Sequence, residues 1–253
     1  MGLAVSAVGA GLIVGFLIGL TGMGGGSIMT PFLILFMKFN PLLAVGTDMA
    51  FAAITKWTAG IQHSHQKNVN VRMVAWLALG SLPASLVASS LVLSYDKSGA
   101  VVNLILPKIL GVVLFMVALY TLARAFNWIR IKENVNWPPA WALTVIGVVG
   151  GAMVGLTSVG SGTIIMAALL IFFSLSPAKL VGMDIIHGAL LTTVPALVYA
   201  FGGHVDWSMV AWLLVGSIPG GWAGSKLVNV IPGQLVRGVL SVLMILAAIR
   251  LLF

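Results

Sequence analysis

The sequence predicts an all-α polytopic membrane protein made of two inverted repeats, and three observations support this fold class. Of the 253 residues, 60% are hydrophobic and only 7% are charged, whereas a soluble domain carries roughly 25% charged residues. Several apolar runs approach the roughly 20 residues that a helix needs to cross a bilayer. The segment Leu20–Ser27 also returns, with substitutions, as Leu156–Thr163 at an offset of 136 residues (from 20 to 156).

The same offset relates further residues along the chain. The matched pairs include Pro41 and Pro177, Gly46 and Gly182, Asp48 and Asp184, and Pro83 and Pro219. A duplicated unit with a glycine break inside an apolar chain is typical of transporters. In such folds, broken helices from the two repeats meet near the middle of the bilayer and form the substrate site.

Apolar runs separated by Gly, Pro, Asn or charge predict ten helical segments within a single membrane domain. The first repeat, residues 1–126, has segments at 3–20, 26–37, 42–62, 70–93 and 104–126. After a linker at 127–137, the second repeat, residues 138–253, has segments at 138–157, 162–174, 178–201, 206–228 and 232–253. Segments 26–37 and 162–174 directly follow the glycine breaks and are too short to span a bilayer. They are therefore predicted to be half-helices of a broken or re-entrant hairpin.

The distribution of positive charge predicts the orientation. Each repeat has an odd number of crossings, so the second repeat would be inverted relative to the first. Of the Lys and Arg residues, eight fall on the face that carries the 127–137 linker and four fall on the other face, so the positive-inside rule predicts a cytoplasmic linker and both termini outside. No positive charge precedes Lys38, and the first apolar run is therefore interpreted as a retained helix rather than a signal peptide.

Several function classes are excluded by composition. The net charge of +8 comes from scattered cations without interleaved aromatics, so no nucleic-acid partner is expected. Cysteine is absent, and His63 and His65 have no evident third ligand, so neither a metal site nor another cofactor is expected. No nucleophile–base pair and no ATP-binding motif is present, which argues against an enzyme and against an ATP-driven pump.

The two glycine breaks predict a binding site for a small anion. A helix that begins after a break presents unpaired N–H groups and a positive dipole end, and two such ends facing each other would form an anion cradle. Close packing of helices through small residues is the alternative explanation. The candidate residues are Thr21, Gly22, Gly24, Gly25, Gly26 and Ser27 in the first break, and Thr157, Ser158, Gly160, Ser161, Gly162 and Thr163 in the second.

Four ionisable residues lie away from the ends of two predicted helices, 42–62 and 178–201. Asp48 and Asp184 occupy equivalent positions, and intramembrane acids are by default candidates for function. They would either couple transport to a proton or cation, or shape the cradle by capping backbone N–H groups. Lys56 and His187 are candidates for binding the anion, with neutralisation of an aspartate as the alternative role.

The repeated Leu-Thr-Gly-x-Gly-Gly-Gly-Ser break, the Pro-x-x-x-Val-Gly-Thr-Asp segment and the Gly-Ser-x-Pro helix resemble the sulfite exporter TauE/SafE family over nearly the whole chain. The resemblance implies a transporter for small sulfur-containing anions, such as sulfite, sulfoacetate and related organosulfonates. The second repeat has Ser158 and Ser161 where the first has Gly22 and Gly25, which leaves open whether the two breaks act equally. The motif positions carried over are Gly22, Gly24, Gly25, Gly26, Asp48, Gly160, Gly162 and Asp184.

We therefore expect a secondary transporter that moves a small anion by alternating access across the cytoplasmic membrane of a bacterium or archaeon. An anion channel that uses the same cradle is the alternative. The expected partners are the anionic substrate and the lipid bilayer, and the sequence leaves open whether two copies form a homodimer.

Overall fold

The structure is a computed structural model of the chain. It describes all residues except 1, 22–25, 65–69, 97–99, 127–138, 161, 163, 166–167, 170–176 and 228–232. Within the described part, the regular secondary structure is entirely helical. The helices are α1 (Gly2–Thr21), α2 (Gly26–Leu35), α3 (Pro41–Ser64), α4 (Val71–Asp96), α5 (Ala100–Ala125), α6 (Ala140–Thr157), α7 (Pro177–Phe201), α8 (Trp207–Leu227) and α9 (Gly233–Leu252).

These helices confirm an all-α polytopic membrane protein. Five of them contain stretches that are long and apolar enough to cross a bilayer: Val71–Tyr95, Asn103–Ala125, Ala140–Thr157, Met183–Phe201 and Gln234–Leu252. The helix boundaries lie within a few residues of those predicted. Most of the predicted segment 162–174 lies outside the described residues, which show helical turns only at 164–165 and 168–169.

Two pairs of helices pack through glycines, and each pair joins the two repeats. In α1, a β-carbon added at Gly15 would lie 2.4 Å from the carbonyl oxygen of Ser217 in α8. In α6, a β-carbon at Gly151 would lie 2.3 Å from the carbonyl oxygen of Ser81 in α4. The two contacts correspond under the 136-residue offset (15 to 151 and 81 to 217). Each repeat therefore supplies its first helix to the fourth helix of the other repeat.

Helices α3 and α7 also pair with each other and lie between the α1–α8 and α4–α6 pairs, while α5 packs against α9. A hydrogen bond of 3.0 Å from Trp57 Nε1 to Thr193 Oγ1 links α3 to α7. One apolar cluster joins α3 and α7 to α4 and α6, and another joins α3 to α1, α2 and α8. Helices α3 and α7, which carry all four predicted intramembrane ionisable residues, are thus at the centre of the bundle.

Candidate anion site

The second glycine break begins where α6 ends. Ser158 adopts the left-handed conformation, with φ 65° and ψ −11°, and its N–H donates to the carbonyl of Val154. Gly160 follows with φ +111°, a conformation that residues with a β-carbon rarely adopt. Ser158 and Gly160 are both buried. The chain therefore leaves its helical path inside the protein, as predicted for this break.

Helix α2, which starts directly after the first break, packs against the second break. A β-carbon added at Gly26 would lie 2.2 Å from the carbonyl oxygen of Ser158, so only glycine permits this approach. The N-terminal end of α2 is therefore in contact with the end of α6. The helix that follows the first break thus begins beside the second break. A cradle formed by both breaks requires this arrangement.

Asp48 connects these two segments. It is fully buried, and its Oδ2 accepts hydrogen bonds from Thr30 Oγ1 of α2 and, at 2.7 Å, from Ser158 Oγ. The carboxylate thus binds hydroxyl groups from both repeats, and the backbone N–H of Thr30 also acts on it, which is the kind of partner that the sequence led us to consider. Its other oxygen, Oδ1, is buried without a hydrogen-bond partner among the described residues.

Asp184 has a different environment, although it occupies the equivalent position in α7. The side chain is 5% exposed, and both of its oxygens are buried without a hydrogen-bond donor in the described part of the chain. The positive charge of Lys56 acts on Asp184 and, more weakly, on Asp48. The negative charge of Asp184 is thus compensated by the positive charge of Lys56, and that of Asp48 mainly by hydrogen bonds from hydroxyl groups.

Lys56 reaches α7 because Gly188 has no side chain. A β-carbon added at Gly188 would lie 2.1 Å from Lys56 Nζ, and Gly188 is one helical turn beyond Asp184. The lysine side chain is 7% exposed. Its amine is therefore held inside the protein on the face of α7 that carries Asp184.

His187 lies on the same part of α7 and contacts α4. Its Nε2 is 2.8 Å from Ser81 Oγ, and its Nδ1 is buried without a partner among the described residues. The side chain is 1% exposed, and the charge of Lys56 reaches it. Asp48, Asp184, Lys56 and His187 therefore form one buried cluster, which we call the ionisable cluster.

The structure brings several predicted site residues together and leaves others undescribed. The ionisable cluster adjoins the second break through the hydrogen bond between Asp48 and Ser158. Thr157 donates to the carbonyl of Met153 at 2.7 Å and continues the α6 helix. Ser27 and Gly162 are buried. The predicted site residues outside the described backbone are Gly22, Gly24, Gly25, Ser161 and Thr163, and the side chain of Thr21 is also not described.

Three residues of the site were missed by the sequence interpretation: Thr30, Ser81 and Gly188. Gly188 could have been found from the sequence, because two pairs of equivalent positions differ together. Ala52 in the first repeat corresponds to Gly188 in the second, and Lys56 corresponds to Thr192. The long side chain of Lys56 in the first repeat faces Gly188 of the second, and the two equivalent positions hold a shorter threonine and a larger alanine, so the two exchanges compensate each other in size. Thr30 and Ser81 carried no such signal.

Comparisons with known proteins match the chain to a family and to several relatives. The family model described as "Sulfite exporter TauE/SafE" matches residues 7–251. The "Probable membrane transporter protein YjnA" of Bacillus subtilis is 39% identical over 231 residues, covering 89% of this chain and 90% of the relative. The "Probable membrane transporter protein YdhB" of the same organism is 26% identical over 251 residues, with 95% and 97% covered.

Another relative comes from an archaeon and matches a shorter part of the chain. The "Probable membrane transporter protein MJ0441" of Methanocaldococcus jannaschii is 28% identical over 164 residues, or 63% of this chain and 58% of that protein. No solved structure gives a significant match. With a family model that matches almost its entire length, the chain belongs to the sulfite exporter TauE/SafE family and is a membrane transporter.

Proposed function

We propose that this protein is a secondary transporter that moves a small anion, a sulfur oxyanion or organosulfonate such as sulfite or sulfoacetate, across the cytoplasmic membrane by alternating access. The observation that carries the proposal is the burial of Lys56 and His187 beside the second break, at the point where α3 meets α7. A buried amine and an imidazole next to a break in the helical path provide positive charge and hydrogen-bond donors for an anion.

The helix pairs suggest how access could alternate. The α1–α8 and α4–α6 pairs are each held together by close glycine contacts, so each pair is suited to move as a rigid unit. The central α3–α7 pair carries the ionisable cluster and would stay near the middle of the bilayer. We infer that the two outer pairs rock about this centre, with the second repeat inverted, both termini outside and the 127–137 linker in the cytoplasm.

An anion channel with the same site is the second candidate. Burial of the four ionisable side chains favours the transporter, because each is at most 7% exposed in the part of the chain that the structure describes. Reconstituted protein distinguishes the two functions. Saturable exchange of labelled sulfite or sulfoacetate supports the transporter, whereas a high unitary conductance in planar bilayers would support the channel.

Binding is tested by the thermal stability of the purified protein in the presence of sulfite, sulfate, sulfoacetate, taurine or acetate. A ligand that binds the native state raises the unfolding temperature by mass action. We expect the sulfur anions to stabilise the protein more than acetate does. Equal stabilisation by all five compounds would argue against a specific site for sulfur anions.

Substitution of Lys56 locates the site. Lys56→Gln should weaken the affinity for the stabilising anion by about 1–3 kcal/mol, the scale of a hydrogen bond to a charged group. His187→Gln should act in the same direction, and the exposed Lys108 offers Lys108→Gln as the matched control. If Lys56 and His187 only neutralise aspartates, both variants will lose stability but keep their affinity. Normal binding and transport by both would restrict the anion site to the backbone N–H groups of the breaks.

A further inference from the structure

We propose that Asp184 is a proton-binding site and that one proton enters it each time the anion binds at Lys56. This inference rests on the proposed function and adds the coupling ion and the residue that carries it. It comes from the count of buried charges, from the hydrogen bonds that Asp184 lacks, and from the position of Lys56.

The charge count shows why an anion needs a proton. The ionisable cluster contains two carboxylates and one amine, so with both acids ionised and His187 neutral its net charge is already negative. An added anion would increase this negative charge in a region that is shielded from water, where uncompensated charge is costly. Uptake of one proton by a carboxylate frees the amine of Lys56 for the anion and offsets one negative charge of the substrate.

The hydrogen bonds indicate which carboxylate takes the proton. Asp48 accepts from Thr30 and Ser158, and these donors stabilise a negative charge without using Lys56. Neither oxygen of Asp184 has a donor among the described residues. Its compensation comes from Lys56, the same amine that the anion would use. The anion and the ionised form of Asp184 therefore compete for one positive charge.

The neighbouring helices contain few other candidates for the proton. On α3, the charged group that acts on Asp184 is Lys56, which also acts on Asp48. On α7 itself there is His187, whose Nε2 is already bonded to Ser81 of α4. Helix α6 has no ionisable residue, and the ionisable residues of α4 are confined to its two ends. The choice is thus between Asp184 and His187, and of these two only Asp184 lacks a hydrogen bond to any residue that the structure describes.

The step is a simple proton transfer with conserved atoms and charge. In the open state, the carboxylate of Asp184 takes a proton from solvent and becomes a neutral acid. Lys56 keeps its positive charge and exchanges its interaction with Asp184 for one with the anion. After the site opens to the other side, the anion leaves and Asp184 releases its proton to that solvent.

The test uses sulfoacetate, which is fully ionised at neutral pH and so brings no proton of its own. Binding to the purified wild-type protein in weakly buffered detergent should take up one proton per anion, measured with a pH indicator. The affinity should increase about tenfold for each unit by which the pH falls, as linkage to one proton requires. In proteoliposomes, an acidic exterior should drive accumulation of labelled sulfoacetate.

Asp184→Asn, which resembles the protonated acid in shape, should abolish the proton uptake and make the affinity independent of pH. Asp206→Asn is the matched control, because Asp206 caps the N-terminus of α8 through Met209 N outside the ionisable cluster. It should keep the wild-type pH dependence. An unchanged pH dependence in Asp184→Asn, or its loss in His187→Gln alone, would overturn the assignment.

Failure of the coupling is separable from failure of the transport function. Wild-type protein that exchanges labelled sulfoacetate without taking up protons would refute the coupling and leave the proposed function intact. Protein that neither binds nor exchanges sulfoacetate or sulfite would refute both.

Discussion

The surroundings of Asp48 and Asp184 differ, although the two residues lie at equivalent positions in the two repeats. Asp48 is held by the hydroxyl groups of Thr30 and Ser158. The positions equivalent to these donors hold Met166 and Gly22, which have no hydroxyl group. Neutral hydroxyl donors thus stabilise the carboxylate of the first repeat, whereas the carboxylate of the second repeat depends on the positive charge of a lysine.

The same contrast extends to the surrounding side chains. Ser81 bonds to His187, whereas Ser217, its equivalent, has a buried hydroxyl without a partner among the described residues. The residue equivalent to His187 is Phe51, which cannot bond to a serine. The two repeats therefore share one helical pattern, and the inward positions at which they differ place Lys56 on α3 and His187 on α7. Differences between the repeats thus mark the ionisable cluster more sharply than their identities do.

The largest effect that can test the role of the second break is expected at Gly160. Gly160→Leu should abolish anion binding, because its φ of +111° disfavours a β-carbon and that carbon would lie 2.5 Å from Ile164 Cδ1. Strain of this kind costs roughly 1–3 kcal/mol, before any loss of the cradle. Binding is measured by thermal shift with the anion that stabilises the wild-type protein.

The control for this substitution is Gly203→Leu. Gly203 also has a positive φ, of +77°, but a β-carbon there would meet nothing within 4 Å, and the residue lies in the exposed turn after α7. The Gly203→Leu variant should therefore be less stable than the wild-type protein but bind the anion with the same affinity. Wild-type affinity in a folded Gly160→Leu variant would place the anion site away from the second break.

A smaller effect is expected at Gly188, where the two repeats differ by compensated exchanges. Gly188→Ala should displace the amine of Lys56, because the new methyl group would occupy its position. The steric cost should be small because the displaced atom is the end of a flexible side chain, and we expect anion affinity to fall about tenfold as the charge moves. Isothermal titration of the purified protein measures both affinity and stoichiometry.

Ala52→Gly is the matched substitution in the other repeat, since Ala52 is the residue equivalent to Gly188. Thr192, the equivalent of Lys56, is short and donates to the carbonyl of Gly188 within its own helix. The substitution should therefore lower stability slightly, through the glycine in a helix, without changing affinity. Equal losses of affinity in the two variants would mean that the site does not depend on Lys56.

Much of this molecule was predictable from sequence because its signals are local or periodic. Apolar length predicted the membrane helices, and the repeated motif predicted the break at Ser158 and Gly160. The presence of Lys56 in the first repeat and Thr192 at the equivalent position of the second indicated that the two repeats differ in their inward side chains. Each of these inferences needs only the spacing of residues along the chain.

The partners of the ionisable residues could not be predicted, because they depend on how distant segments pack. Thr30 reaches Asp48 only because α2 folds back onto α3, and Ser158 reaches it from the other repeat. Ser81 meets His187 across 106 residues of sequence. A hydroxyl group in an apolar helix most often bonds to its own backbone. The sequence therefore marked Ser158 as part of the break and Ser81 as part of a repeated motif, but it did not indicate their partners, and it did not mark Thr30 at all.

The smallest effect is expected at Ser158, where a lost hydrogen bond and a relieved conformation oppose each other. Ser158→Ala removes a donor to the buried Asp48 and keeps a β-carbon at φ 65°, so it should destabilise the protein by about 1–3 kcal/mol. Thr30→Val, which removes the other donor from within a regular helix, should cost a similar amount.

Ser158→Gly also removes the donor, but it relieves the left-handed strain of about 1–2 kcal/mol and introduces the residue found at Gly22 in the first repeat. Its loss of stability should therefore be clearly smaller than that of Ser158→Ala, as measured by thermal unfolding in detergent. Equal losses in the two Ser158 variants would show that the left-handed conformation carries no strain here, and that the hydrogen bond to Asp48 alone accounts for the serine.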